Sequence, residues 1–393
     1  MTPNSTCPSG NSLPNSNQAS EDSAQSVDWV DQREQRVLAP FAMHSRDCQG
    51  RIHPEQEHLY RGPFQRDRDR ILHSWAYRRL SGKMQVFTGE MGDYHRTRLT
   101  HTQEVATIAR TIGRALGLNE DLIEALALMH DIGHPPYGHA GEDVLNECAA
   151  DHGGFSHNQF ALTIVQELEI VYPQFSGLNL TMEVLAGQNY RADKANVALD
   201  RLLEVQLVDA ADSTAYDAHD TDDALKLGLV SIDQMAQLSL IKTCLNHVAQ
   251  KYTALDKSLQ RTALVHQLIE LQVTQLTAHC AGELRKHGFA NAFEAMSSDF
   301  LIEQPAELAE QKRELEQFLY QNVYRHPQLI TIRQTAQDRL RQMYAAFCEN
   351  PDLFPQKYQL RAEQVGVPRM AVEYLAGMTD RFCEQTYEQI GLA

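Results

Sequence analysis

The sequence predicts an all-α protein, a globular helical core carrying a C-terminal helical subdomain. Three observations lead there: from about Trp29 onward apolar residues recur three and four apart, alternating strand-like stretches are few, and the apolar stripes end at glycine or proline. Residues 1–28 are rich in Ser, Asn, Pro and Gln with almost no large apolar side chains. Burial there cannot offset the entropy of ordering, so a disordered tail is expected.

In chain order, Val105, Ile108, Ile112 and Leu116 form one helical stripe, and Gly117 supplies its stop. Leu122, Leu126 and Met129 form the next, opened by Asn119 as a cap and closed by Gly133-His134-Pro135-Pro136. A third helix is expected over roughly Val197 to His219. Further helices follow over Ser231 to Gln250, Thr262 to His287, Glu307 to Asn322, Thr331 to Cys348 and Pro368 to Ile390. No internal repeat recurs at a fixed period. These patterns suggest a core over 29–225 and a C-terminal helical region over 226–393 packed on it.

Composition narrows the function classes. No apolar run approaches the roughly 18–20 residues that cross a bilayer, and the N-terminus carries no charged-then-apolar signal pattern, so a soluble cytoplasmic protein without membrane partners is expected. The seven cysteines are widely spaced and form no C-x-x-C pair, which argues against a disulfide framework or a zinc knuckle. A net charge of −17 disfavours nonspecific binding of nucleic acid over the whole surface. Between Arg61 and Arg98, however, nine basic residues face four acidic ones. This basic island just before a histidine-rich segment points to an anionic ligand, although a solvated helix face explains the Arg66 to Arg70 run equally well.

Seven of the 17 histidines (His95, His101, His130, His134, His139, His152 and His157) fall within 63 residues, more than twice what even spacing would place there. His101 precedes Val105 by four and Ile108 by seven, and so lies on the core-facing stripe of its helix. His130 follows Leu126 by four and Leu122 by eight. Val205, Val208, Asp212 and Tyr216 share a face of the third helix. Inward-facing imidazoles and a carboxylate are unfavourable unless paired or bound to a cation. A shared metal site of His101, His130, Asp131 and Asp212 satisfies all four together.

His101, then the pair His130-Asp131, then a distant Asp212 resembles the H…HD…D signature of HD-domain phosphohydrolases. The surrounding text is more specific. Arg78-Arg79-Leu80-Ser81-Gly82-Lys83-Met84-Gln85-Val86-Phe87, Arg98-Leu99-Thr100-His101, the run Met129 to Glu142, Phe155-Ser156-His157-Asn158, Gly177 to Thr181, Val208 to Tyr216 and Ala376 to Arg381 resemble blocks of the dGTP triphosphohydrolase family, in order from about residue 60 to 390.

That resemblance implies an HD-type helical core over 29–225 and hydrolysis of deoxynucleoside triphosphates, dGTP or more broadly dNTPs, to deoxynucleoside and inorganic triphosphate. His101, His130, Asp131 and Asp212 take the metal-ligand places, a donor set suited to Mn²⁺, Mg²⁺, Fe²⁺, Co²⁺ or Zn²⁺. His139 takes the acid/base place; Glu142, three residues on, is spaced to hydrogen-bond it across a helical turn, and His134 assists at phosphate. Arg98, one turn before His101, is placed to reach a phosphate oxygen. Gln85 takes the place that reads the sugar 3′-hydroxyl, Tyr216 the aromatic that packs on the deoxyribose, and His157 that of a further pocket histidine. The family pattern also implies a homo-oligomer, with a second nucleotide or single-stranded DNA as effector in some members. One departure stands out: the lysine expected after Leu180-Thr181 is missing, and the chain reads Leu185-Ala186-Gly187-Gln188-Asn189-Tyr190-Arg191. Whether Arg191 replaces it is open at this level.

Two other readings compete: a nucleotide phosphatase or phosphodiesterase on the same HD scaffold, and a dNTP-sensing protein with little turnover. The products released separate the three.

Overall fold

The computed structural model describes residues 29–85, 96–193 and 201–392. The tail expected over 1–28, the start of the third helix before residue 201, and Glu90, Asp93 and His95 lie outside the described residues. Helices make up the fold, and β structure among the described residues is confined to isolated bridges such as Arg51 with Thr181 and Met84 with Thr97.

The helices run as α1 (29–37), α2 (Pro63–Leu72), α3 (Trp75–Arg79), α4 (Arg98–Leu116), α5 (Glu120–Met129), α6 (His139–Cys148), α7 (His157–Thr163), α8 (Met182–Ala192) and α9 (Leu203–Lys226). They continue as α10 (Ile232–Met235), α11 (Ser239–Lys251), α12 (Lys257–His287), α13 (Ala292–Met296), α14 (Ala306–Leu319), α15 (Pro327–Glu349), α16 (Gln356–Val365), α17 (Val367–Ala376) and α18 (Asp380–Gln389).

The helix ends follow local chemistry. Thr97 and Thr100 form a reciprocal capping box at the start of α4, and Gly117 ends it with a left-handed φ of 73°. The Asn119 side chain accepts from the backbone N–H groups of Asp121 and Leu122, which opens α5 as expected. Two expected helices are broken. Ser231–Gln250 divides into α10 and α11, because Leu238 adopts an extended conformation before Ser239. Pro368–Ile390 divides into α17 and α18, because the Thr379 hydroxyl accepts from the Phe382 N–H and starts a new helix. A wide π-helical turn over Tyr320–Tyr324 ends the α14 segment.

Two apolar cores result. The first collects the α4 stripe, Leu122, Leu126 and Met129 of α5, and Val205, Val208, Ala211 and Ala215 of α9. Leu340, Met343 and Phe347 of α15 and Met370 and Leu375 of α17 return to this same core. The second joins the far half of α9 to α11, α12 and α14 through Ala218, Ile241, Leu268 and Leu315. Helix α9 therefore spans both, and residues on either side of position 225 share the first. Among the described residues no helix is long and apolar enough to cross a membrane, and the six described cysteines are free thiols.

The C-terminal helices also fasten the loop after α5. Lys83, fully buried, donates to the carbonyls of His134 and Ala376. The Asp380 carboxylate accepts from the N–H of Met84 at 2.9 Å and of Tyr137 at 3.0 Å. Arg339 on α15 donates to the Tyr137 hydroxyl at 2.8 Å. Tyr137 holds a left-handed φ of 62°, a conformation that persists where surrounding contacts enforce it.

The buried pair of Asp217 on α9 and Lys312 on α14 ties the second core together. Burial pushes the Asp217 carboxyl from 3.8 up to about 6, against the pull of the Lys312 ammonium. The folded chain thus holds this proton more tightly than the unfolded chain, so stability from Asp217 is greatest below pH 3.8 and is lost as pH rises through about 6. Lys312→Met removes the ammonium and leaves the carboxyl buried. We expect it to cost about 3–5 kcal/mol at pH 8, where the unpaired carboxylate must ionise or hold its proton against the solvent, and less at pH 5. Urea unfolding at both pH values measures this; equal losses would show that the pair is not electrostatically coupled.

Candidate active site

The start of α4, the end of α5 and the middle of α9 converge, and each delivers a polar side chain to the same point. The Nε2 atom of His101 lies 3.0 Å from Asp212 Oδ1. His130 Nε2 lies 3.6 Å from Asp131 Oδ1 and 3.7 Å from Asp212 Oδ1. The other nitrogen of His130 donates to the Ala127 carbonyl at 2.6 Å, so its Nε2 carries the lone pair, and that atom is buried without a hydrogen-bond partner. The ligand atoms of His101, His130 and Asp131 all lie within 4.8 Å of one another. Donors about 2.1 Å from one ion stand about 3.0–3.4 Å apart, so small side-chain shifts close this shell. An orphaned imidazole nitrogen facing two carboxylates fits a divalent cation.

Burial sets the charge states. It holds the His130 imidazole below its usual range despite the nearby carboxylates, which leaves a neutral ligand. Burial also pushes Asp131 and Asp212 upward, but the imidazoles and arginines beside them outweigh it and hold both below the usual carboxylate range. These are chiefly His134 and Arg98 for Asp131, and His130 and His101 for Asp212. One expectation is corrected: the Asp212 side chain is 30% exposed, not sealed, while His101 and His130 beside it are buried.

Beside this cluster stands a second group. Glu142 Oε2 lies 3.2 Å from His139 Nδ1, and Glu142 Oε1 accepts from His157 Nδ1 at 2.7 Å and from the His157 N–H at 2.9 Å. Burial would raise the Glu142 carboxyl, but the hydrogen bonds from His139 and His157 hold it far below its ordinary range, so it is a carboxylate at any working pH. His134 is buried, with its ring 3.7 Å from that of His157 and its Nδ1 3.0 Å from Asp131 Oδ1, outside hydrogen-bond alignment. Burial keeps its imidazole well below the usual range. His139 is 60% exposed at the mouth, whereas His152 is exposed in the turn after α6.

A cleft of about 250 Å³ adjoins His139 and is lined by Gln85, Tyr137, Tyr216, Tyr324 and Arg333 among others. Tyr216 and Tyr324 share a hydroxyl contact, and Asp220 accepts from Tyr324. Burial raises both the Tyr216 phenol and the Asp220 carboxyl.

Two expectations about charge change. Arg98 is buried with its fork directed inward: Nη1 donates to Asp131 Oδ2 at 2.9 Å and Nη2 to the Gln85 carbonyl at 3.2 Å. Its guanidinium is spent on a carboxylate ligand candidate and on the chain that carries Gln85, not presented to solvent. The basic island is largely neutralised. Arg61 pairs with Asp69, Arg66 and Arg70 with Glu55, Arg68 with Asp121, and Arg96 with Asp223. Arg191, in contrast, approaches the site, with Nη2 2.6 Å from Asp209 and Nη1 3.7 Å from Asp212.

Sequence reasoning missed His219 and Glu104. His219 Nδ1 lies 3.1 Å from His101 Nδ1, and its Nε2 meets Glu104. The signal was present, since His219 follows Asp212 by seven and Glu104 follows His101 by three, both helical spacings that keep one face.

An all-helical fold with this His/Asp cluster defines an HD-domain phosphohydrolase, a metal-dependent class. An HD domain matches residues 98–217, and a phosphohydrolase-associated domain matches residues 302–389. The chain is 39% identical over 370 residues to the deoxyguanosinetriphosphate triphosphohydrolase-like protein of Geobacter metallireducens, covering 91% of this chain and 96% of that protein. Identity to the protein of the same description is 39% over 365 residues in Thiobacillus denitrificans, covering 90% of this chain and 97% of that one. In Leptospira interrogans it is 37% over 371 residues, covering 91% and 97%. The chain belongs to the deoxyguanosinetriphosphate triphosphohydrolase-like family.

The loop that carries His139 passes within contact of Arg98. Gly138 has φ 58°, and a Cβ there would stand 2.7 Å from Arg98 Nη2. Gly138→Ala is therefore expected to lower stability by about 1–3 kcal/mol through the left-handed backbone and the displaced guanidinium. Denaturant unfolding reads this, and a variant as stable as the parent would mean that the loop relaxes freely away from Arg98.

Proposed function

We propose that this protein hydrolyses deoxynucleoside triphosphates to deoxynucleoside and inorganic triphosphate. The observation that carries the reading is the position of His139. It borders the His/Asp cluster through His134 on one side and lines the tyrosine-rich cleft on the other. A triphosphate reaching from cluster to cleft thus places its α-phosphorus beside an imidazole–carboxylate pair.

In this reading His101, His130, Asp131 and Asp212 hold one divalent ion, with its identity among Mn, Mg, Fe, Co and Zn set by supply and affinity. Bound there, the ion supplies Lewis-acid polarisation of a phosphoryl oxygen and a lowered pKa for water. Arg98 fixes the Asp131 carboxylate through Oδ2, leaving Oδ1 for the cation. Water attacks the α-phosphorus, a new P–O bond forms, and the bond to the 5′-oxygen breaks. His139 gives the departing 5′-oxygen its proton, and Glu142 orients that imidazole and stabilises its protonated form. His134 and His157 bind phosphate oxygens. Arg191 takes the place of the absent lysine, which its approach to Asp212 supports. Gln85 and Tyr216 hold the sugar, with the Tyr216 ring filling the space a 2′-hydroxyl would need.

Incubation with each of the four dNTPs and Mn²⁺ or Mg²⁺ is expected to release inorganic triphosphate, detected by ³¹P NMR, and Asp131→Ala is expected to abolish it. Loss of none of the four dNTPs, or activity unchanged in Asp131→Ala, would sink the proposal; phosphate released from monophosphates instead would point to a nucleotidase. Tyr216→Ala is expected to narrow the preference for deoxy- over ribonucleotides by about 10-fold or more, measured as the ratio of kcat/KM values. An unchanged ratio would place sugar discrimination elsewhere.

A further inference from the structure

Helices α4 and α9 face each other with two polar positions each. On α4 these are His101 and Glu104, one turn apart; on α9 they are Asp212 and His219, two turns apart. His101 reaches Asp212 through Nε2 and His219 through Nδ1, at 3.0 and 3.1 Å. His219 in turn meets Glu104 through Nε2. The result is a continuous line of side chains, Glu104 to His219 to His101 to the candidate metal position, buried at its two imidazoles and reaching solvent at Glu104.

We propose that His219 and Glu104 are positioning residues that set the tautomer of His101 for metal binding; this inference rests on the metal site proposed above. Only one hydrogen fits between two Nδ1 atoms 3.1 Å apart. Glu104 Oε2 stands against His219 Nε2 but off the line of an N–H, and a small side-chain rotation lets this carboxylate, which only accepts, take the hydrogen there. Neutral His219 then presents a lone pair at Nδ1, and the shared hydrogen belongs to His101 Nδ1. The lone pair of His101 is thereby placed on Nε2, where an ion held between it and Asp212 would replace the hydrogen bond that the 3.0 Å contact makes through an Nε2–H. His130 reaches the same state by a shorter route, through the Ala127 carbonyl of its own helix. His101 lies in the first turn of α4, and its Nδ1 faces α9 instead, so the acceptor has to come from that neighbouring helix. A carboxylate–imidazole–imidazole chain does for His101 what one carbonyl does for His130. It also raises the ligand's basicity, as hydrogen-bond acceptors behind metal-bound histidines do.

The two roles a side chain can play here separate cleanly by substitution. His219→Leu keeps the bulk and removes the acceptor. His219→Asn keeps an amide oxygen near the place of Nδ1 and restores the acceptor without the ring. Mn²⁺ affinity of the full chain, measured from the free-ion EPR signal, is expected to fall about 10–100-fold in His219→Leu and to recover most of that loss in His219→Asn. Glu104→Gln is expected to fall between the parent and His219→Leu. Long-range ¹⁵N–¹H spectra of the Zn²⁺-loaded parent should show His101 as its Nδ1–H tautomer. A parent that binds no divalent ion removes the metal site itself, and the relay with it. A parent that binds tightly while His219→Leu, folded by circular dichroism, binds equally tightly overturns the relay alone. Equal weakening in the Leu and Asn variants also overturns it, since that pattern reports packing and not an acceptor.

Discussion

Arg98 and Asp131 are both sealed inside the protein, and each would be intolerable there without the other. Removing one partner of such a pair costs about 3–5 kcal/mol because a charge remains buried and unpaired. The pair joins the first residue of α4 to the second residue past α5, and so fixes the crossing of the helix that carries His101 and the one that His130 ends. The second arm of Arg98 holds the Gln85 carbonyl, and its guanidinium sets how closely the loop at Gly138 can pass. One ion pair therefore locates the ligand cluster, the start of the aromatic cleft and the loop leading to His139.

The C-terminal helices complete that arrangement from outside. Asp380, Lys83 and Arg339 take hold of backbone and hydroxyl groups around Tyr137 and His134, where the chain leaves helical geometry. A loop with a left-handed tyrosine needs enforcement by contacts it does not itself contain, and α15, α17 and α18 supply them. The match of a phosphohydrolase-associated domain to residues 302–389 covers these same elements. The C-terminal region thus bears on the site through the loop and through Tyr324 and Arg333 in the cleft, without placing a side chain among the metal-ligand candidates.

Charge is distributed by the same logic. Most of the arginines between Arg61 and Arg96 are consumed by carboxylates of α2, α5 and α9 or by loops packed on them, so a net positive stretch of sequence yields little positive surface. Arg191 lies beyond that stretch and approaches Asp212 across the interface of α8 and α9. Along the α4–α9 contact two imidazoles stand in contact between two carboxylates instead, which lets a polar line run beside an apolar core.

The helical class, the stop of α4 at Gly117, the start of α5 at Asn119 and the inward aim of His101 and His130 were legible in the sequence, because periodicity and capping depend on residues within one or two turns. The His139–Glu142 contact was legible for the same reason, being a single helical turn. Tertiary structure alone decided that Arg98 turns to Asp131, that Asp212 stays partly exposed, that the basic island is neutralised and that His219 stands behind His101. Each of these depends on which helix crosses which, and a side chain's partner across a helix crossing is set by packing between distant segments, which no local spacing encodes.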